Sequence, residues 1–309
     1  GGCTSIYPKC RRLLLGAWPR RYPPAMARID DLLAAPDRPV VGVELYRPRT
    51  EEGEQRFLDV LDALRELEPT FVSISYGERG PVEGRVRDLV VGLSSQESYP
   101  VLAHLTCATH DRAELDAQLE DYERNGVYNV LALAGDPPDG APRRTDFAHA
   151  GELVRAVRAR GDQHCIGVAA HPELHPGSTS RARDRSRLAE KLRLADFAIS
   201  QFTFDAGHYL SMVDDLRRLG VDAPVLPGVM PLSNPEGIRR VSRTAGVEFP
   251  EAFARQLEDA DPMDRSKLVV EAAAELCEQL LQRGAPGVHL YCLNRLDVVK
   301  PLLFDLGLR

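Results

Sequence analysis

The chain has 309 residues, 43% hydrophobic and 28% charged, enough to bury a real core in one large domain or two small ones. Its net charge of −7 argues against sequence-independent binding of nucleic acid, and apolar runs such as Leu13-Leu14-Leu15 are too short to cross a bilayer. The six cysteines (Cys3, Cys10, Cys107, Cys165, Cys277 and Cys292) form no CxxC pair, which points to reduced thiols in a cytoplasmic protein rather than a disulfide framework or zinc ribbon.

In chain order, residues 1–25 come first, with five basic groups (Lys9, Arg11, Arg12, Arg20, Arg21), no acid and no periodicity. They are expected to be a tag-like or disordered extension, with Met26 as the natural start and a catalytic domain over 26–309. From residue 39, short β-branched stretches alternate with longer amphipathic ones. Strands are predicted at Pro39–Tyr46, Thr70–Tyr76, Pro100–Thr106, Tyr128–Ala134, His164–Ala170, Ala198–Phe204, Pro224–Val229 and Gly287–Cys292. Helices are predicted at Glu51–Leu67, Gly84–Leu93, Arg112–Asn125, Ala150–Arg160, Arg181–Leu194 and Ala206–Leu219. A two-part helical insert over Pro235–Arg283 and a last helix over Arg295–Leu306 complete the set. Gly126, Gly161 and Gly220 sit where left-handed caps are wanted.

Eight strand–helix units predict a (β/α)₈ barrel, with a doubly wound open sheet as the rival. The first strand–helix turn, Glu44-Leu-Tyr-Arg-Pro-Arg-Thr50, carries neither GxGxxG nor GxxxxGK[ST], which favours the barrel. A barrel gathers its chemistry at the C-terminal strand ends. These supply Glu44, Ser75, Tyr76, His104, Thr106, Asp136, His171, Glu173, His175, Gln201, Asp205, Ser233, Asn234, Asn294 and Arg295. A polar residue leaving a strand is more often a helix cap or loop anchor than a catalyst. Glu44 resists that reading, because it interrupts the apolar run Val40-Val-Gly-Val-Glu-Leu45. Burial there is expected to raise its pKa and suit it to general acid work. Gly135 before Asp136 would let a ligand approach the backbone, although Asp136 also fits a turn before Pro137-Pro138. His171-Pro-Glu-Leu-His175 is not HExxH, and its prolines oppose a helix aligning both rings, so no metal is expected. Arg143-Arg144 suits a solvated loop better than a phosphate site.

Eight segments in order resemble the methylenetetrahydrofolate reductase family. They are Val43-Glu-Leu-Tyr-Arg-Pro-Arg-Thr50, Phe71-Val-Ser-Ile-Ser-Tyr-Gly77, Ala103-His-Leu-Thr-Cys107 and Leu131-Ala-Leu-Ala-Gly-Asp-Pro-Pro138. The others are Val168-Ala-Ala-His-Pro-Glu-Leu-His-Pro176, Ile199-Ser-Gln-Phe-Thr-Phe-Asp205, Pro227-Gly-Val-Met-Pro-Leu-Ser-Asn234 and Tyr291-Cys-Leu-Asn-Arg295. The resemblance implies a (β/α)₈ barrel and hydride reduction of methylenetetrahydrofolate in one-carbon metabolism and methionine biosynthesis. It makes Glu44 the proton donor and sets Asp136 beside the pterin, where its charge favours a cationic iminium. Gln201 would read the pterin edge, and Tyr291 and Arg295 would bind substrate. Ser75, His104, Gly135, His171, His175, Asp184 and Lys191 fall at cofactor positions, and Phe147 near the adenine side.

Departures from the family pattern bear on the cofactor. The family's arginine before Gly-Asp is Ala134 here, a tyrosine beside the flavin is His171, a threonine is Ser75, and the phenylalanine after Ser-Asn is Pro235. The chain thus resembles a flavin-independent actinobacterial branch, with NADH (or NADPH) passing hydride directly to small-molecule folate and FAD absent. An FAD-dependent reductase, a deazaflavin-dependent tetrahydropterin reductase on the same barrel, and a pterin-binding regulator are the alternatives.

Overall fold

The computed structural model describes residues 27–34, 39–48, 50–75, 83–108, 110–135, 146–232 and 234–307. Eight parallel strands close on themselves in sequence order: β1 (Val40–Tyr46), β2 (Phe71–Ser75), β3 (Val101–Thr106), β4 (Asn129–Leu133), β5 (Cys165–Ala170), β6 (Phe197–Phe202), β7 (Val225–Val229) and β8 (Gly287–Tyr291). Closure is made by β1, which pairs with β2 on one side and β8 on the other. The fold is the expected single (β/α)₈ barrel. An open sheet would have left β1 and β8 unpaired with each other.

The helices are α1 (Ile29–Ala34), α2 (Glu51–Leu67), α3 (Glu83–Gln96), α4 (Arg112–Arg124), α5 (Ala150–Arg158), α6 (Arg181–Leu192), α7 (Ala206–Arg218), α8 (Pro235–Ala245), α9 (Glu251–Asp259), α10 (Pro262–Gln282) and α11 (Leu296–Asp305). Local chemistry sets their starts. Thr50 Oγ1 accepts from Gly53 N, and Asp111 and Glu114 exchange side-chain-to-backbone bonds across the first turn of α4. Gly126, Gly161 and Gly220 have φ of 73°, 128° and 72°, as expected past helix ends. The insert expected in two parts is three helices. Gly246 ends α8 in the left-handed region, and Pro262 opens α10 at its first turn.

Strand alternation divides the core in two. Val41, Val43, Leu45, Val72, Ile74, Ala103 and Leu105 face outward and pack against helices, in one layer with Phe57, Leu64, Leu115 and Leu119. Val40, Phe71, Leu102, Leu131, Cys165, Phe197 and Leu226 fill the interior. Helix α1 was not anticipated in the sequence. Its six residues are too few for a clear period, but Ile29 and Leu33 join the interior cluster and plug the N-terminal end. Asn129 grips it, accepting from Ile29 N at 3.0 Å and donating to Ala27 O at 3.0 Å. With one end plugged, the polar interior residues lie toward the other.

Candidate active site

Glu44 lies on β1 with Ser73 of β2 and Tyr291 of β8 as its cross-strand partners. Two imidazoles approach the same carboxylate oxygen: His104 Nε2 from β3 lies 3.7 Å from Oε2, and His289 Nε2 from β8 lies 3.9 Å from it. The side chain of Glu44 is 18% exposed, against 6% for His104 and 0% for His289. The carboxyl group is therefore the member of the cluster that meets the barrel mouth. His104 Nε2 and His289 Nδ1 are buried with no hydrogen-bond partner among the described residues.

The electrostatics reverse one expectation. Burial is the largest single influence on Glu44 and acts upward, as anticipated. The polar contact with His289, the charges of His104 and His289, and the Ser75 hydroxyl act downward, and together they hold the carboxyl below its ordinary value. The sequence pattern exposed the apolar setting but not the two rings brought in from distant strands. Burial pushes His104 down against the pull of Glu44, so its neutral form is favoured. Burial and then the Glu44 charge push the Tyr291 phenol up, while Cys292, whose thiol donates to Glu44 O at 3.1 Å, is pushed up to about 12, chiefly by burial.

His289 and Ser73 were missed in the sequence, although both share the inward parity of residues that were found: Ser73 with Ser75, and His289 with Tyr291. His289 Nε2 and Ser73 Oγ are 3.2 Å apart. The ring stacks on Phe71 at 5.6 Å and 10°, and meets Tyr291 edge-on at 5.2 Å. Gly42 makes this packing possible, since a Cβ there would overlap the Phe71 ring and lie 2.5 Å from His289 Nδ1.

Around the mouth, the Tyr291 hydroxyl donates to Ser200 O at 2.8 Å, tying β8 to β6. The β6–β7 register slips between Ile199 and Phe202, a bulge that contains Ser200 and Gln201. Gln201 Oε1 accepts from Phe202 N at 3.0 Å, and Ser200 Oγ accepts from Gly228 N at 3.0 Å. Ser75 sits beside Glu44, its hydroxyl 3.5 Å from Leu45 O. Leu293 and Asn294 are both left-handed, at φ 52° and 54°, and Asn294 secures this costly turn by donating to Tyr46 O at 2.7 Å. The turn delivers Arg295 to the start of α11, where its guanidinium pairs with Asp297 at 2.6 Å. Gly135, at φ 64°, is required for its conformation and for the approach of Thr106, whose Cβ a side chain would meet at 2.7 Å.

A second cluster forms where β5 runs into α6. The rings of His171 and His175 meet edge-on at 4.6 Å, and His175 Nδ1 accepts from Gly177 N. Lys191 Nζ donates to Ala169 O at 3.0 Å, and burial depresses its pKa against the charge of Asp184. Asp184 pairs with buried Arg185 at 2.7 Å, and Arg185 also donates to the carbonyls of His171, Pro172 and Glu173. Burial first, then the charges of His175, Lys191 and Arg185, bring His171 down to about 3.

Other strand-end candidates have plainer roles. Asp205 caps α7, accepting from Gly207 N, and Asn234 caps α8, accepting from Glu236 N. Phe147, placed by resemblance near an adenine, is instead fully buried in the outer core with the Arg112 guanidinium 5.1 Å above its ring. Its apolar body belongs to packing rather than to a ligand. Tyr76, Asp136, Arg143, Arg144 and Ser233 lie outside the described residues. Among those described, no helix is long and apolar enough to cross a membrane.

Comparison with known proteins agrees with this architecture. The profile described as methylenetetrahydrofolate reductase matches residues 28–307. The chain is 32% identical over 272 residues to the 5,10-methylenetetrahydrofolate reductase of Salmonella typhimurium, covering 87% of this chain and 91% of that one. It is 31% identical over 282 residues to methylenetetrahydrofolate reductase (NADH) 1 of Arabidopsis thaliana, covering 86% of this chain and 48% of that one. The chain thus spans about half the length of the plant relative and nine-tenths of the bacterial one. A solved structure from Clostridium thermocellum, described as an uncharacterized protein binding two copies of 5-methyl-5,6,7,8-tetrahydrofolic acid, superposes with a TM-score of 0.58 at 11% identity. It covers 87% of this chain and 94% of its own, a likeness of fold alone. By the extent of the profile match and the identity to its relatives, the chain belongs to the methylenetetrahydrofolate reductase family.

Proposed function

We propose that this protein reduces 5,10-methylenetetrahydrofolate to 5-methyltetrahydrofolate with hydride taken directly from NADH, NADPH being the second donor, and without a bound flavin. The observation that carries the reading is a carboxyl group at the barrel mouth with two buried imidazoles behind it. Opening the methylene bridge breaks its bond to the departing amine nitrogen and leaves a cationic iminium at the other nitrogen. Glu44, protonated in the productive complex, gives that amine its proton and becomes carboxylate. Hydride then forms the new C–H bond and the nicotinamide leaves oxidised. Asp136 would favour the iminium by its charge, Gln201 would read the pterin edge, and Tyr291 and Arg295 would border the substrate.

The absence of flavin is argued from the groups at the family's flavin positions. Ala134 offers no cation, His171 is held neutral by burial, and the Lys191 ammonium is bonded to Ala169 O while Asp184 is paired with Arg185. A guanidinium bonded to an anionic cofactor contributes roughly 1.5–3 kcal/mol, so its loss weakens retention about tenfold or more. His104, His175, Asp184 and Lys191 are retained at flavin positions and favour the second reading, an FAD-dependent reductase. We further place the activity in the cytoplasm, in one-carbon metabolism that feeds methionine biosynthesis.

The test is the visible spectrum together with steady-state kinetics, with NADH, NADPH and a reduced deazaflavin tried in parallel. The expected protein is colourless, is not stimulated by FAD, and gives intersecting double-reciprocal lines, because both substrates must sit in the mouth together. A yellow preparation bleached by NADH and restored by methylenetetrahydrofolate defeats the flavin-free reading. Activity with deazaflavin alone transfers the chain to that alternative.

A further inference from the structure

The cluster behind Glu44 contains a residue with no assigned role. His289 is wholly buried, yet its Nε2 faces both Ser73 Oγ at 3.2 Å and Glu44 Oε2 at 3.9 Å. Its other nitrogen has no hydrogen-bond partner among the described residues. Hydrogen on Nδ1 would bury an unmatched N–H, whereas the tautomer with hydrogen on Nε2 leaves only an unused lone pair there. That tautomer turns a donor toward the serine and the carboxylate. Phe71 stacked on its face, Tyr291 against its edge and the absence of a side chain at Gly42 fix the plane of the ring. A purely apolar core position would call for none of these arrangements, and leaving a polar atom unpaired in the interior is costly.

We propose that His289, oriented by Ser73 and Phe71, is a positioning residue that meets the Oε2 atom of Glu44 from behind and so orients the carboxyl group at the barrel mouth. This rests on the reading of Glu44 as proton donor. The groups facing the carboxyl are Ser75 from β2, His104 from β3, and His289, Tyr291 and the Cys292 thiol from the β8 end. His289 and His104 approach one oxygen from separate strands, so removing His289 loosens the carboxyl while His104 stays beside it.

The variants are His289→Asn and Ser73→Ala, each checked for a cooperative thermal transition. An infrared titration follows the Glu44 carboxyl band, assigned by its absence from Glu44→Gln. The carboxyl is expected to titrate about one pH unit higher in His289→Asn, a tenfold change in the ratio of its two forms, and to shift less in the same direction in Ser73→Ala. In turnover, the low-pH plateau of kcat falls while the alkaline limb moves to higher pH, and KM for NADH is unchanged. A structural role alone would lower kcat at every pH and leave both titrations in place, and that result overturns the proposal. If His289→Asn does not fold, an unmoved carboxyl band in Ser73→Ala overturns it equally. Because the band is read without substrate, a shifted band in a protein that does not reduce methylenetetrahydrofolate refutes the proposed reaction and leaves the positioning role supported.

Discussion

His171 offers a test of the electrostatics at the β5–α6 cluster. In the folded protein its pKa is lowered to about 3, first by burial and then by His175, Lys191 and Arg185. In the unfolded chain a histidine titrates near 6.5. Below that pH the unfolded chain takes up a proton that the folded ring refuses, so this residue's support for folding is complete at pH 8 and is lost progressively from about pH 6.5 toward pH 3. At pH 5 the difference amounts to roughly 2 kcal/mol, from about 1.4 kcal/mol per unit over one and a half units. His171→Gln keeps a polar side chain of similar reach and removes the titration. Urea unfolding of both proteins at pH 8 and pH 5 isolates the effect as a double difference. The wild type is expected to lose about 2 kcal/mol more than the variant on acidification. Equal losses would show that the ring titrates normally when folded. His171 could then carry a charge beside an anion, and the flavin-free reading would lose that support.

Two further outcomes bear on the mouth and its support. Glu44→Gln should lower turnover by about 10²–10⁴-fold, the usual worth of a general acid, while NADH binding measured by fluorescence titration persists. Gly42→Ala should destabilise the barrel by about 1–3 kcal/mol, because the new methyl overlaps the Phe71 ring and crowds His289; a melting temperature equal to wild type would contradict that packing.

The barrel was legible because each of its units is written locally. β-branched runs, amphipathic stretches and cap glycines recur at short range, and the Glu51–Leu67 helix appears over the range predicted. α1 was not legible, since a six-residue helix is made by what it plugs rather than by its own period. The extra break in the insert was signalled by Gly246, Pro250 and Pro262, but an amphipathic pattern running through all three hid it.

The chain's order of residues determined the number of units and put Glu44 in an apolar strand at the end where barrels place chemistry. It also marked Gln201, Arg295 and the His171–His175 segment as polar groups at strand ends. Tertiary structure alone decided what stands beside them. His104 and His289, 60 and 245 positions further along the chain, meet one oxygen of Glu44 because β3 and β8 curve back to β1 when the barrel closes. That meeting turns the pKa of Glu44 from the upward shift of simple burial to a net downward one. A carboxyl group's apolar sequence neighbours report its desolvation, but the partners that oppose desolvation act through space over a few ångströms, a distance that no spacing along the chain encodes.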